Sequence, residues 1–433
     1  MTDQIPPAAL PDPADPTDPR VPPELTGRML LQIKSMRVKR LLKRVDPLLS
    51  GVVLTGEGAL GAAVRMRRGE GFDEPYTGVL MVDEERYSRA AATEEQPFPG
   101  VPDAGKQLFG DPFEDLLRRQ LSVADVALTP TGYLFPQESG ALKAAAARVA
   151  SLDDPRVVFT VPIDAGWLRP DPLKQMVAVL AEVPGAKAIV LGGQMDPLGG
   201  FAKAVAGLVE LLHQVPNCGL LRTDLAAFGA LAWGAGFSSF GADSSMRHTV
   251  PPPEPVRTSH PTSSPHVLFP ELMDWSLGRS LADKFGAEPA PTCGCGECEG
   301  ATIDRFTGME LQVEAAQHNT AVLMGWLAEL AAVPAAGRPR WWPERGRPLR
   351  GVEHHAGPAD GLHAEDAADE LGQVPRSRTG AAARVRGGAA QRLTDAAAGW
   401  ALGGGQACTV AGCRRWWSSS TKHHAAGVWR LGR

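Results

Sequence analysis

Three cysteines fall within six residues, Cys293-Gly294-Cys295-Gly296-Glu297-Cys298, and His318 follows them. The spacing is C-x-C-x2-C-x19-H. Thiolates are soft ligands and imidazole suits zinc, so three Cys and one His make a tetrahedral site. Gly294 and Gly296 let the backbone curl so that the sulfurs converge. Protein fills all four positions and leaves no place for a reactive water, so the expected Zn2+ is structural. The competing readings are a redox thiol cluster, or unrelated cysteines beside a surface histidine. Cys408, Cys413, His423 and His424 form a second, looser set near the end of the sequence.

A second group of polar residues ends apolar runs. Asp164 closes Val161-Pro162-Ile163-Asp164, Gln194 follows Gly192-Gly193, and Asp224 closes Leu221-Arg222-Thr223-Asp224. Each is either a loop cap or a ligand-facing group. On three successive strands of a barrel, all would face one mouth. Gly132-Tyr133 and Gly166-Trp167 put aromatics where they pack, or where they sandwich a planar base. No Gly-x-Ser-x-Gly elbow and no phosphate-binding glycine fingerprint accompanies them.

These residues need elements to position them. Strand-type runs are expected at 51–55, 60–66, 77–82, 126–135, 156–163, 186–192, 218–223 and 236–242. Helical spacing falls at 141–150, 173–182, 201–214 and 225–233. Alternation of this kind implies parallel strands with helical crossovers, and eight strands suit a (β/α)8 TIM-type barrel; a doubly wound open sheet is the alternative. Residues 267–285 read as mixed and mainly helical. A long helix over 309–333 would carry His318. The expected divisions are a Pro-rich disordered tail (1–27), an α/β barrel (28–249), a linker and small zinc-binding subdomain (250–337), and a terminal tail (338–433).

The 433 residues are 43% hydrophobic and 21% charged, with a net charge of −5. That composition excludes a chain disordered throughout and gives no sign of wholesale nucleic-acid binding. No run approaches the roughly 18 apolar residues of a membrane span. The start has no secretory pattern and six cysteines are too few for a disulfide scaffold, so the expected location is cytoplasmic. Residues 28–45 carry seven cations and no acid, in spacing that reads as a helix ended by Asp46-Pro47. It either faces phosphates or packs by its apolar stripe. The terminal tail lacks Phe, Ile, Tyr, Met and Asn but holds fourteen Arg and six Trp. Such text is what a shifted reading frame in a GC-rich gene produces; a basic disordered extension is the other reading.

The cysteine motif, followed by a helix bearing His318-Asn319 and an apolar run, resembles the zinc subdomain of tRNA-guanine transglycosylases and the related DNA 7-deazaguanine transferases. The resemblance spans about residues 156–333 and is specific at the zinc motif. It implies a barrel that exchanges a purine-type base on a nucleic acid by means of two carboxylates. One attacks the ribose C1′; the other manages the proton on the base. Asp243, in Phe240-Gly-Ala-Asp243-Ser-Ser-Met-Arg247-His248, stands where the nucleophile would be, and is otherwise a turn or N-cap aspartate. Glu138, in Glu138-Ser139-Gly140, is the nearest match for the partner, and is otherwise a helix start. Asp164 and Gln194 would read the base.

The function expected is thus a zinc-containing, transglycosylase-like transferase of the tRNA-modification type, with tRNA or DNA as partner and no membrane role. It would work alone, as a homodimer or as a heterodimer. The alternatives are a non-catalytic zinc-binding barrel subunit or scaffold, and a barrel enzyme acting on a small metabolite.

Overall fold

The computed structural model describes residues 22–345, apart from 103–109, 137, 153, 195, 256–261 and 287. Its centre is a nearly closed barrel of eight parallel strands: β1 (Met29–Lys34), β2 (Gly51–Thr55), β3 (Val79–Asp83), β4 (Ala127–Leu128), β5 (Val157–Asp164), β6 (Lys187–Gly192), β7 (Cys218–Thr223) and β8 (Ser238–Gly241). Their order is β3-β2-β1-β8-β7-β6-β5-β4. The seam between β3 and β4 is made by Asp125. Its N–H donates to the Leu80 carbonyl (3.0 Å) and its carboxylate accepts from the Leu80 N–H (2.7 Å). Arg67 clamps that carboxylate at 2.6 Å.

Helices α1 (Ala59–Arg68), α2 (Pro112–Leu121), α3 (Ser139–Ala150), α4 (Pro170–Ala181), α5 (Ala204–Gln214) and α6 (Ala226–Ala232) lie between the strands. This is the (β/α)8 class expected from the sequence. Two expectations fail locally, and they offset each other in the strand count. Residues 28–45 are not one helix: β1 opens the barrel, then two short 3-10 turns follow at Val38–Arg40 and Leu42–Arg44. A strand buried on both faces is a continuous apolar run, and its spacing also satisfies a helical pattern. Residues 60–66 belong to α1 instead, which buries Ala59, Ala62, Ala63 and Met66 along one stripe and ends on Gly69 in the left-handed region (φ 73°). The expected strand at 126–135 shrinks to β4 because Pro130 has no N–H to give the ladder.

The interior is apolar below and polar above. Leu30, Val53 and Met81 share the buried core with Val158, Ala188 and Val190. One step further along β1, β2 and β3 come Gln32, Thr55 and Asp83, all buried.

After the barrel, β9 (His266–Phe269) and β10 (Asp274–Leu277) form an antiparallel hairpin. Helix α7 (Gly278–Phe285), the cysteine loop and α8 (Gln312–Ala332) follow. The mainly helical reading of 267–285 therefore holds only for α7. The first residues of the suspected tail form α9 (Arg338–Arg345), whose Trp342 is buried and stacks on Phe228 of α6 at 5.1 Å. Its composition marks 338 as the start of odd text, but the described part packs on the barrel. The rest of that tail lies outside the described residues, as do Cys408, Cys413, His423 and His424 and most of the Pro-rich start. Among the described residues no single helix is long and apolar enough to cross a membrane.

Candidate metal centre and barrel mouth

Cys293, Cys295, Cys298 and His318 come together, their ligand atoms all within 4.8 Å of one another. The cysteine loop is a tight turn. The Cys298 and Glu299 N–H groups both donate to the Cys295 carbonyl, and Cys293 exchanges hydrogen bonds with Gly300 and Ala301. His318 is fully buried on α8. Its Nδ1 lies 3.6, 3.4 and 3.1 Å from the Cys293, Cys295 and Cys298 sulfurs. A tetrahedral ion with Zn–S near 2.3 Å and Zn–N near 2.0 Å separates N and S by about 3.5 Å, so the set fits zinc.

The surrounding contacts hold the ligands in the form a metal needs. His318 Nε2 lies 2.9 Å from the Leu268 carbonyl, which can only accept. The proton is therefore on Nε2, and the Nδ1 lone pair faces the sulfurs. Asn319 fastens the same turn to β9: its Oδ1 accepts from the Leu268 N–H (2.8 Å) and its Nδ2 donates to the His266 carbonyl (2.9 Å). Arg305 donates to the Cys298 sulfur at 3.0 Å. The hydrogen bond from Cys293 holds the Cys295 thiol well below its ordinary range, while the same contact pushes Cys293 up. Arg44 grips Glu297 with two hydrogen bonds of 2.7 Å, tying the loop to the segment after β1.

The mouth of the barrel divides in two. Over β1–β3, β7 and β8 a polar network closes it. Gln32 donates to Thr55 (3.1 Å) and Asp83 (3.0 Å), and its carbonyl accepts from the Arg222 N–H (2.8 Å) and the Ser239 hydroxyl (2.7 Å). Tyr87 donates to Asp83, and Arg222 to Tyr87 (3.2 Å) and to the carbonyls of His248 and Ser245. Arg222 also pairs with Glu85 at 2.5 Å. Both members of that pair have left-handed backbone (φ 52° and 58°), Arg222 at a β-bulge in β7 and Glu85 in the loop after β3. Burial pushes the Asp83 carboxyl up against the pull of Arg222. None of these residues stood out in the sequence, since their partners lie up to 207 positions apart.

The residues expected to act stand around the rest. Asp164 ends β5; its Oδ1 accepts from the Gly166 N–H (2.7 Å) and its Oδ2 from the Tyr133 hydroxyl (3.3 Å). Asp224 caps Ala226. Gln194 donates to Glu254 (2.6 Å) and to the Pro255 carbonyl (3.2 Å), while its buried Oε1 has no partner among the described residues. Asp243 is the N-cap of a 3-10 turn, accepting from Ser245, and pairs with Arg37 at 2.9 Å. Glu138 is exposed at the start of α3 and caps nothing. Asp164, Gln194 and Asp224 thus share the mouth, Asp243 lies toward its rim beside Arg37, and Glu138 takes no part in their contacts. Asp196, in the loop after β6, adds to them. Burial and the nearby Asp224 charge push its carboxyl up to about 6.

The chain after β8 returns across β7 to β6. The Thr249 N–H donates to Leu191 (3.1 Å), and the Gly193 N–H donates to Thr249 (2.9 Å). Two surface clefts, about 530 Å3 beside Glu114 and Arg156 and about 370 Å3 beside Glu84 and Arg89, include none of the expected site residues.

No protein-family model matches the chain, and no curated protein matches its sequence. Solved structures show distant likenesses. The N-terminal domain of an aldolase-type protein from Bacteroides vulgatus is 13% identical, with a TM-score of 0.29 over 49% of this chain and 72% of that one. The carboxyl transferase domain of Rhizobium etli pyruvate carboxylase, solved with pyruvate and biocytin, is 14% identical, with a TM-score of 0.29 over 68% of this chain and 48% of that one. At such scores neither bears on what this barrel does.

Proposed function

We propose that this chain is a zinc-stapled barrel that binds a purine-type base, or a small metabolite with the same hydrogen-bonding edge, at the ends of β5 and β6. The observation that carries the reading is Gln194 Oε1, a buried acceptor with no partner among the described residues, one strand away from the Asp164 carboxylate. An unpaired buried acceptor costs about 1–3 kcal/mol. A heterocycle with two adjacent N–H donors, such as the guanine edge, complements two acceptors side by side. Phe135, half-buried and packed edge-on against the buried Tyr133 at 5.0 Å, supplies aromatic surface nearby. Glu254 and Pro255 hold the other end of Gln194 and must release it for a ligand to enter. The test is calorimetric titration of guanine and adenine into wild type, Asp164→Asn and Glu254→Ala. Guanine is expected to bind, to lose affinity in D164N and to gain it in E254A. Equal weak binding of both bases by all three proteins refutes the reading.

A second reading, base exchange on tRNA or DNA, draws on the position of Asp243 at the end of β8 beside the cationic Arg37–Lys43 segment. Both Asp243 oxygens are occupied, so exchange requires its release from Arg37. Asp243→Ala abolishes base exchange if that reading holds, and leaves zinc content and base binding unchanged. The scaffold reading expects no exchange in wild type either.

A further inference from the structure

Arg247 is a half-buried cation that forms no ion pair among the described residues. Its guanidinium lies over Trp275, with Cζ 3.5 Å from the ring centroid. A guanidinium carries five N–H donors. Among the described residues none of them makes a hydrogen bond, and no carboxylate reaches ion-pair distance. Arg222, which bonds the carbonyls of Ser245 and His248 on either side of Arg247, shows what full compensation looks like: it also bonds to Tyr87 and Glu85. Asp224 and Asp243 are near enough for Arg247 to feel their charge, but Asp224 is capping Ala226 and Asp243 holds Arg37. Burial pushes the Arg247 guanidinium down to about 10, as expected of a cation lacking a partner. The Nε edge is shut off from solvent while the residue as a whole is only half-covered, so the open edge is the Nη pair. Beside it the Trp275 indole N–H is also without a partner.

We propose that Arg247 is the seat of a phosphate group carried by the ligand of the neighbouring mouth, which makes that ligand a nucleotide rather than a free base or nucleoside. A guanidinium fixed on a ring and open along its Nη edge meets two oxygens of one oxyanion at once. Backbone pairing fixes the distance to the base seat. Asp164 pairs with Gly192, and Gly192 with Thr249, two residues beyond Arg247; each lateral step is about 4.8 Å. The nucleotide identity rests on the base-binding reading above; the anion contact does not.

The experiment titrates the full chain with guanosine, guanosine 5′-monophosphate and a short single-stranded oligonucleotide. It uses wild type, Arg247→Gln and Arg247→Lys, the last keeping charge and so guarding against misfolding. The monophosphate is expected to bind wild type at least about tenfold tighter than the nucleoside, an advantage lost in R247Q and only partly kept in R247K. An unchanged ratio in R247Q overturns the proposal. If neither ligand binds, the base-binding reading fails by itself, and inorganic pyrophosphate decides the anion seat. Its protection against heat must appear in wild type and in Asp164→Asn and vanish in R247Q; protection without dependence on Arg247, or none, overturns the seat. An Arg247-dependent preference for the oligonucleotide over the monophosphate names a nucleic-acid phosphodiester as the source, and the reverse names a free nucleotide. Both keep the seat.

Discussion

His318 donates its Nε2 proton to the backbone carbonyl of Leu268, 2.9 Å away in β9. That single bond selects the tautomer that leaves Nδ1 free for a metal. It also makes the hairpin part of the metal centre, although no hairpin residue is a ligand.

Zinc content follows directly. Elemental analysis of wild type is expected to find one zinc per chain. Cys298→Ser loses it, and Tm falls by on the order of 10 °C, because the metal is bound by the folded state alone. A folded wild type without zinc contradicts the assignment.

Asn319→Ala leaves the Leu268 N–H without its buried acceptor and removes the bond to the His266 carbonyl. Urea unfolding is expected to show a loss of about 2–4 kcal/mol. Zinc affinity falls with it, since the strand that fixes His318 loosens; unaltered affinity would mean Leu268 holds its place without Asn319.

Gln32→Leu removes four buried hydrogen bonds at once, although Asp83 keeps Tyr87 and the Arg222 N–H keeps Ser239, and is expected to cost about 3–5 kcal/mol or to abolish folding. Soluble yield and chemical denaturation report it. A loss below about 1 kcal/mol would mean that water replaces the side chain.

Asp196 gives a pH signature. Its folded carboxyl sits near 6, above the ordinary unfolded value of about 3.9. Between those values the folded state binds more protons than the unfolded one, so this group's contribution is fully present below about pH 4 and is lost as pH rises through 6. Comparing wild type with Asp196→Asn from pH 4 to 7, the mutant is expected to lack a decline on the order of 2 kcal/mol. Parallel curves would place the carboxyl in water.

Trp342→Ala removes a buried ring stacked on Phe228 and is expected to cost about 3–4 kcal/mol. A neutral effect in thermal unfolding would detach α9 from the barrel.

The metal centre was legible in the sequence because its signal is local: three cysteines in six residues need no tertiary information to be noticed. The barrel was legible from alternation, yet the strand at 29–34 and the helix at 59–68 were exchanged. A buried parallel strand and a short helix rich in Ala present similar apolar spacing, and only pairing partners tell them apart. Asp164, Gln194 and Asp224 were found as strand-ending residues, but the capping that occupies Asp243 depends on Ser245 and Arg37 in their folded positions. The Gln32 network was invisible, since a lone glutamine in an apolar run carries no mark of four partners on four other strands. Arg247 stood within the Asp243 motif; that it finds no partner among the described residues is visible only once Trp275 lies beneath it.

The carboxamide of Gln32 has two donors and two acceptor sites, and each meets a different strand: β2, β3, β7 and β8. A side chain so placed acts as a latch on the whole upper half of the barrel. If any one of those strands frays, a buried group on that strand and a buried group on β1 lose their partners together. Local opening is therefore penalised nearly as heavily as global opening, and this half of the barrel should exchange its amide hydrogens as a single cooperative block, not strand by strand.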